Sequence, residues 1–267
     1  MSHLDDLRTD LDEEQRVLDR LVAPLEAAQW HVATPSPGWD VADQIGHLAY
    51  FDNAARTAIL TPERFRESVT ELFQGAVAAG LDAFTLGWYR SLAPDELLGA
   101  WRRIRDGLAE AAAVLDEGAR VEWYGPSMGA ASFLSARLME TWAHGTDVAD
   151  ALGVALPATR RLRHITRLGF MTRAWSYAVR NETPPAGSVR LELTGPDGDP
   201  WVWGPEGAND TVSGPAEDFC LVVTQRRHVE DTSLRSGPLA RHWLDRAQAF
   251  AGGPSEGPRP RSTDEPH

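Results

Sequence analysis

Leu4, Leu7, Leu11, Val17, Leu18, Leu21 and Leu25 recur mostly at three- and four-residue steps, the period that lines one face of a helix. Pro35-Ser36-Pro37-Gly38 breaks the pattern. Asp40 then caps a second helix over about 41–60, with Asp43 at its third position, where the helix dipole favours an acid. A third segment opens at Thr61-Pro62-Glu63, with proline in the first helical turn. Its polar repeat to about Gly80 predicts a solvated helix or a mobile cover. Further helices are expected over 94–117, over 130–152 with Gly153 as the C′ glycine, and over about 157–180.

The period changes after Asn181-Glu182-Thr183-Pro184-Pro185-Ala186-Gly187. Val189-Arg190-Leu191-Glu192-Leu193 alternates at period two, Pro196-Asp197-Gly198-Asp199 supplies a turn, and Trp201-Val202-Trp203 makes the second arm of a hairpin. A third strand is expected near 210–213, and helices over 215–226 and 238–250. The Gly-, Pro- and Ser-rich end has little apolar surface to bury. The chain therefore divides into an α-helical bundle over 1–182, a small α+β domain with a short antiparallel sheet over 183–250, and a disordered tail over 251–267.

At 267 residues there is enough chain for two such cores. The formal net charge of −13 argues against a nucleic-acid partner, because phosphate binding needs clustered positive charge. All the basic residues are arginine, and the wealth of Arg, Ala, Gly and Trp fits a high-GC genome. No run approaches the roughly 20 apolar residues that span a bilayer, and the acidic start, Met1-Ser2-His3-Leu4-Asp5-Asp6, is unlike a signal peptide. Cys220 is the single cysteine, so no intramolecular disulfide forms, and a reducing cytoplasm fits. The expectation is a cytoplasmic monomer or homodimer that acts on a small molecule, away from membranes and nucleic acids.

Glu140-Thr141-Trp142-Ala143-His144-Gly145-Thr146-Asp147 is the most informative stretch. Glu140 and His144, four apart, stack on one helical face, and Asp147 continues it. A carboxylate and an imidazole at this spacing can share a metal, although surface ion pairs use the same spacing. His47 lies mid-helix among Ile45, Leu48 and Phe51 and is expected to face inward. A lone inward histidine is commonly a hydrogen-bonded core residue. Here, however, two helices each offer inward ligands, and bundle cores assemble metal sites from facing helices. His47, Glu140 and His144 would leave a fourth position open, as in catalytic zinc sites. Asp43, one turn before His47, is placed either to accept a hydrogen bond from that imidazole or only to serve the helix N-terminus.

Pro37-Gly38-Trp39-Asp40-Val41 and His47-Leu48, followed by Glu140-x-x-x-His144-x-x-Asp147, resemble the mycothiol-dependent maleylpyruvate isomerase family, which sits among the DinB-like metal-binding four-helix bundles. The resemblance covers about residues 1–180. It implies a divalent metal, usually zinc, on His47, Glu140 and His144, with mycothiol, the actinobacterial low-molecular-weight thiol, as cosubstrate. The remainder resembles the small, sterol-carrier-like α+β domain that often follows this bundle.

Coordination to a metal turns a thiol into a thiolate. Reversible addition of that thiolate to a cis-dienoic acid leaves a single bond free to rotate. Substrate carboxylates then need a cation, and Arg226 and Arg227 are the candidate catalytic pair, with His228 beside them as a proton carrier. Two other readings stay open. The metal can hold hydroxide in a hydrolase, or the protein can be a non-catalytic module enclosing an apolar small molecule.

Overall fold

Leu4, Leu7, Leu11 and Leu18 are buried along one side of the first helix, α1 (His3–Val22), as their spacing predicts. The computed structural model describes residues 3–261 and separates into two compact units, Met1–Leu156 and Pro157–His267. In the first unit α1 is followed by α2 (Val41–Leu60), α3 (Pro62–Ala79), α4 (Leu81–Leu86) and α5 (Pro94–Ala113). A two-residue hairpin, β1 (Arg120–Val121) with β2 (Met128–Gly129), leads into α6 (Ala130–Leu152). Helices α1, α2, α5 and α6 form the four-helix core, with α2 against α5 and α6, and α1 against both of those. Asp40 caps α2 by accepting from the Asp43 amide at 2.9 Å, and Gly153 ends α6 in the left-handed conformation, φ 65°.

Helix α2 is buried on more than one side, which a central helix requires: Val41, Ile45, Leu48 and Ala49 join Leu18, Val22 and Trp101 in one core cluster. Gly46 meets that demand where a Cβ would stand 3.0 Å from Tyr89 Cβ. Deeper along α2, Asp52 pairs with Arg137 of α6, the guanidinium donating to Oδ1 at 2.8 and 3.0 Å, while Gln15 of α1 reaches Oδ2 at 3.4 Å. The two side chains are 0% and 3% exposed. Burial pushes the Asp52 carboxyl upward, against the pull of Arg137.

The second unit contains α7 (Leu162–Met171), α8 (Arg173–Ala178), β3 (Val189–Thr194), β4 (Pro200–Trp203), β5 (Asp210–Pro215), α9 (Ala216–Val223), β6 (Arg235–Ser236) and α10 (Pro238–Leu244). The strands are ordered β4-β3-β5-β6. The expected hairpin pairs β3 with β4 antiparallel, and β5 joins β3 in parallel, so the whole sheet is mixed. After β4 the chain crosses the start of β3 at Gly204 (φ 96°), where a Cβ would lie 2.7 Å from the Val189 carbonyl oxygen, and only glycine allows that approach.

Two expected boundaries shift. The units part at Leu156/Pro157, not at 182/183. The reason is α7, whose apolar face belongs to the second core: a Cβ on Gly169 would touch Val223 and Phe219 of α9, and Arg163 stands over the Trp201 and Trp203 rings of β4 at 5.6 and 5.5 Å. The stretch expected to be disordered is tied down over 251–261. Gln248 Nε2 donates to the Gly253 carbonyl at 3.0 Å, Gln225 to that of Ser255 at 3.3 Å, and the Arg261 amide donates to Asp231 at 3.1 Å. Residues 262–267 lie outside the described chain. Among the described residues no helix is long and apolar enough to cross a membrane.

Removing one partner of a buried pair strands the other charge. Asp52→Ala should therefore destabilise the first unit by about 3–5 kcal/mol in urea unfolding followed by circular dichroism. A paired Asp52→Leu/Arg137→Met replacement should recover most of that loss. Equal losses in the single and paired variants would mean that the stranded charge is not what costs.

Candidate metal centre

Helix α2 presents His47 and α6 presents Glu140 and His144 to the same point, which brings together the three candidate ligands. The Nε2 atom of His144 lies 3.3 Å, and that of His47 3.5 Å, from a single carboxylate oxygen, Glu140 Oε2. One ligand atom from each of the three falls within 4.8 Å of the others. The His47 and Glu140 side chains retain 17% and 20% exposure, so the point of convergence is not sealed.

A polar chain that sequence reasoning missed orients His144. Thr34 donates its hydroxyl to the Trp39 carbonyl at 2.9 Å, and so receives a hydrogen bond from Gln44 Nε2 at 2.8 Å. That fixes the Gln44 amide with Oε1 toward His144 Nδ1, 2.5 Å away. Oε1 only accepts, so the network assigns the proton to Nδ1 and leaves the Nε2 lone pair facing Glu140. Two acceptors at 3.3 Å need a positive charge between them, either a proton or a metal cation. Tetrahedral zinc with bonds of about 2.0–2.1 Å separates its ligand atoms by about 3.3 Å, so the two His–Glu spacings suit such an ion. Burial works to raise the Glu140 pKa, but hydrogen bonding and charge from His144 and His47 outweigh it and hold the carboxyl well below its ordinary range.

The surrounding acids have distinct tasks. Asp43, considered as a partner for His47, instead closes the capping box with Asp40 and takes Arg90 in a two-pronged pair at 2.7 and 2.9 Å. Asp147 is buried, accepts from Ser36 Oγ at 3.1 Å, and lies 4.0 Å from His144 Nδ1. The Trp39 ring is 5.1 Å from that of His47 and stacked 6.0 Å from that of His144, and its Nε1 donates to Asp82 of α4 at 2.7 Å. The cluster lies wholly within the first unit. Arg226 and Arg227 belong to the second unit, in the turn after α9, where they donate to the Thr224 and Arg226 carbonyls at 2.7 and 2.8 Å. His228 caps the next turn, its Nδ1 accepting from the Glu230 amide.

The fold and this cluster define a helical bundle with a metal-competent His₂Glu set drawn from facing helices. The family described as the mycothiol maleylpyruvate isomerase N-terminal domain matches residues 11–149, a span that includes all three side chains, and the chain belongs to that family. A wyosine base formation family matches residues 185–236. Two uncharacterized proteins of Mycobacterium tuberculosis, from strains CDC 1551 and H37Rv, are each 47% identical over 253 residues, covering 94% of this chain and 96% of theirs. Crystal structures of the mycothiol-dependent maleylpyruvate isomerase, in native form and as a point mutant, share the fold at TM-scores of 0.58 and 0.59. Each shows 15% identity and covers 95% of this chain and 97% of the other.

The proton on Nδ1 is measurable without any metal. Long-range ¹H–¹⁵N spectra of the metal-free protein should show His144 with a proton at Nδ1, held by Gln44. Gln44→Leu should remove that preference while helical content stays unchanged. A His144 protonated at Nε2 alone in the parent protein would break the proposed polarity of the Thr34–Gln44 chain.

Proposed function

We propose that the protein is a divalent-metal enzyme of the maleylpyruvate isomerase type, which uses mycothiol as cosubstrate on a small electrophilic or unsaturated acid. The observation that carries this reading is the approach of two Nε2 atoms to one Glu140 oxygen, with the outer nitrogen of His144 already engaged by Gln44. His47, Glu140 and His144 would hold the ion, zinc being the metal the set best suits, with one position left for an exogenous ligand. Once bound, such an ion lowers the pKa of a thiol and keeps the resulting thiolate beside an electrophile.

The chain's own residues prepare that position. Glu140 would offset a bound cation's charge at the point that both imidazoles face. Gln44 keeps the His144 lone pair directed inward, and the Trp39 indole shields the rings from one side. The chain's own sulfur is unsuited to the task. Cys220 is fully buried in α9, its Sγ directed to the Leu162 carbonyl, and burial pushes its thiol well above the ordinary range. The thiol therefore comes from outside. Its sulfur adds to a conjugated cis carbon as the π pair moves onto the neighbouring carbonyl, the new single bond rotates, and the pair returns to expel the sulfur. Atoms and electrons balance with no oxidant.

Cobalt substitution tests both halves of the proposal. The protein should take up about one Co²⁺ per chain, and His47→Ala or His144→Ala should abolish tight binding. Mycothiol should add an intense near-ultraviolet thiolate-to-cobalt band, retained in Cys220→Ala. One equivalent of cobalt with a spectrum indifferent to mycothiol, together with water-dependent ester cleavage, would replace this reading with a hydrolase.

A further inference from the structure

The rings beside the triad show what kind of molecule fits there. Phe51 follows His47 by one turn of α2, and its ring centroid is 4.6 Å from the imidazole. On the far side Phe51 meets Tyr124 edge-on at 5.6 Å, and Tyr124 meets Phe65 at 5.3 Å. Tyr124 lies in the segment between β1 and β2, so the hairpin adds a ring to this aromatic group. Phe51, Tyr124 and Trp39 are each only partly buried, whereas Phe65 behind them is 1% exposed. A buried ring thus backs a partly exposed aromatic surface that runs from the Trp39 indole, past His47, to the hairpin.

The arginine one turn before Glu140 and the arginine that pairs with Asp43 are already committed. Arg137, three residues before Glu140, is held by Asp52, and Arg90 is held by Asp43, four residues before His47. A second carboxylate, held away from the ion, would meet the rings of Phe51 and Tyr124 and neither of these guanidiniums. Burial pushes the Tyr124 hydroxyl upward, so it stays a neutral donor.

We propose that the site is specific for electrophiles whose reacting carbon is flanked by an aromatic or planar apolar group, packed against the partly exposed rings of Trp39, Phe51 and Tyr124 beside His47. A compact dicarboxylate fits this surface poorly. This inference rests on the metal reading and narrows it to a substrate class.

Hydroxamates separate the two ideas, because one metal-binding head can carry different tails. Benzohydroxamate, acetohydroxamate and the monohydroxamate of succinate would be titrated into the cobalt-loaded full chain, following the visible cobalt bands and tryptophan fluorescence. The phenyl tail should bind roughly tenfold more tightly than the methyl tail, the scale expected for burying one ring against others. The carboxylated tail should bind no more tightly than the methyl one. Phe51→Leu, which keeps apolar volume but removes the ring, and Tyr124→Ala, a change outside the helical core, should each shrink the phenyl preference severalfold with cobalt stoichiometry intact. Equal affinity for all three tails, a preference for the carboxylated tail, or an undiminished phenyl preference in both variants would overturn the substrate class while leaving the metal assignment standing. A protein that takes up no cobalt would overturn both.

Discussion

The buried contact between Asp52 and Arg137 fixes how α2 and α6 lie against each other, and the candidate metal centre depends on that register. Asp52 is five residues beyond His47, about 7.5 Å along the helix, and Arg137 is three before Glu140, about 4.5 Å away. A slip of one helical turn between α2 and α6 would separate the ion pair and scatter the triad together. Carrying two charges into the core costs more solvation than an apolar pair would, so its value lies less in stability than in excluding other alignments. Gln15 adds α1 to the same point through Asp52. Three of the four core helices therefore meet at one polar contact, a turn or two below the site.

The elements carrying the site were legible because their signals are local. Asp40 and Gly153 mark the start of α2 and the end of α6, and His47, Glu140 and His144 fall on inward faces by simple periodicity. The orienting shell was not legible for the opposite reason. Gln44 reaches His144 across 100 positions of sequence, and nothing in its own neighbourhood distinguishes it from an ordinary helical glutamine. For Asp43 the sequence leaves two roles open, a partner for His47 or a helix-end acid; it serves the helix end, and Arg90, 47 residues away, takes its carboxylate. The same limit explains α7. An amphipathic pattern reveals that a helix has an apolar face, but only Val223 and Phe219 show which core that face joins.

A glutamine in the position next to His144 has chemical consequences. Metal-bound imidazoles commonly donate their outer N–H to a carboxylate, which enriches the ring and strengthens its donation to the metal. Gln44 offers a neutral carbonyl oxygen, so the ring is oriented without that added electron density. The cation would then stay more electrophilic, which favours acidifying an exogenous ligand. Asp147, 4.0 Å from the same nitrogen and satisfied by Ser36, adds negative charge at longer range. Family membership and shared fold establish the scaffold, while this pairing is a property of the chain's own side chains.

Trp39 links the two layers of the site. Its carbonyl accepts from Thr34 and so sets the polarity that passes through Gln44 to His144, while its indole covers both histidines. The indole nitrogen is in turn held by Asp82 at the start of α4, a short helix packed against α3. Backbone and side chain of one residue thus serve the tautomer of a ligand and the shape of the adjoining surface. A change in how α4 holds the indole would alter that surface directly, but it would reach the tautomer only by displacing the Trp39 backbone. The loop Pro35-Ser36-Pro37-Gly38 limits that displacement, because its prolines restrict the chain and Ser36 is anchored on Asp147. Surface shape and ligand orientation are therefore separable in this site even though one tryptophan supports both.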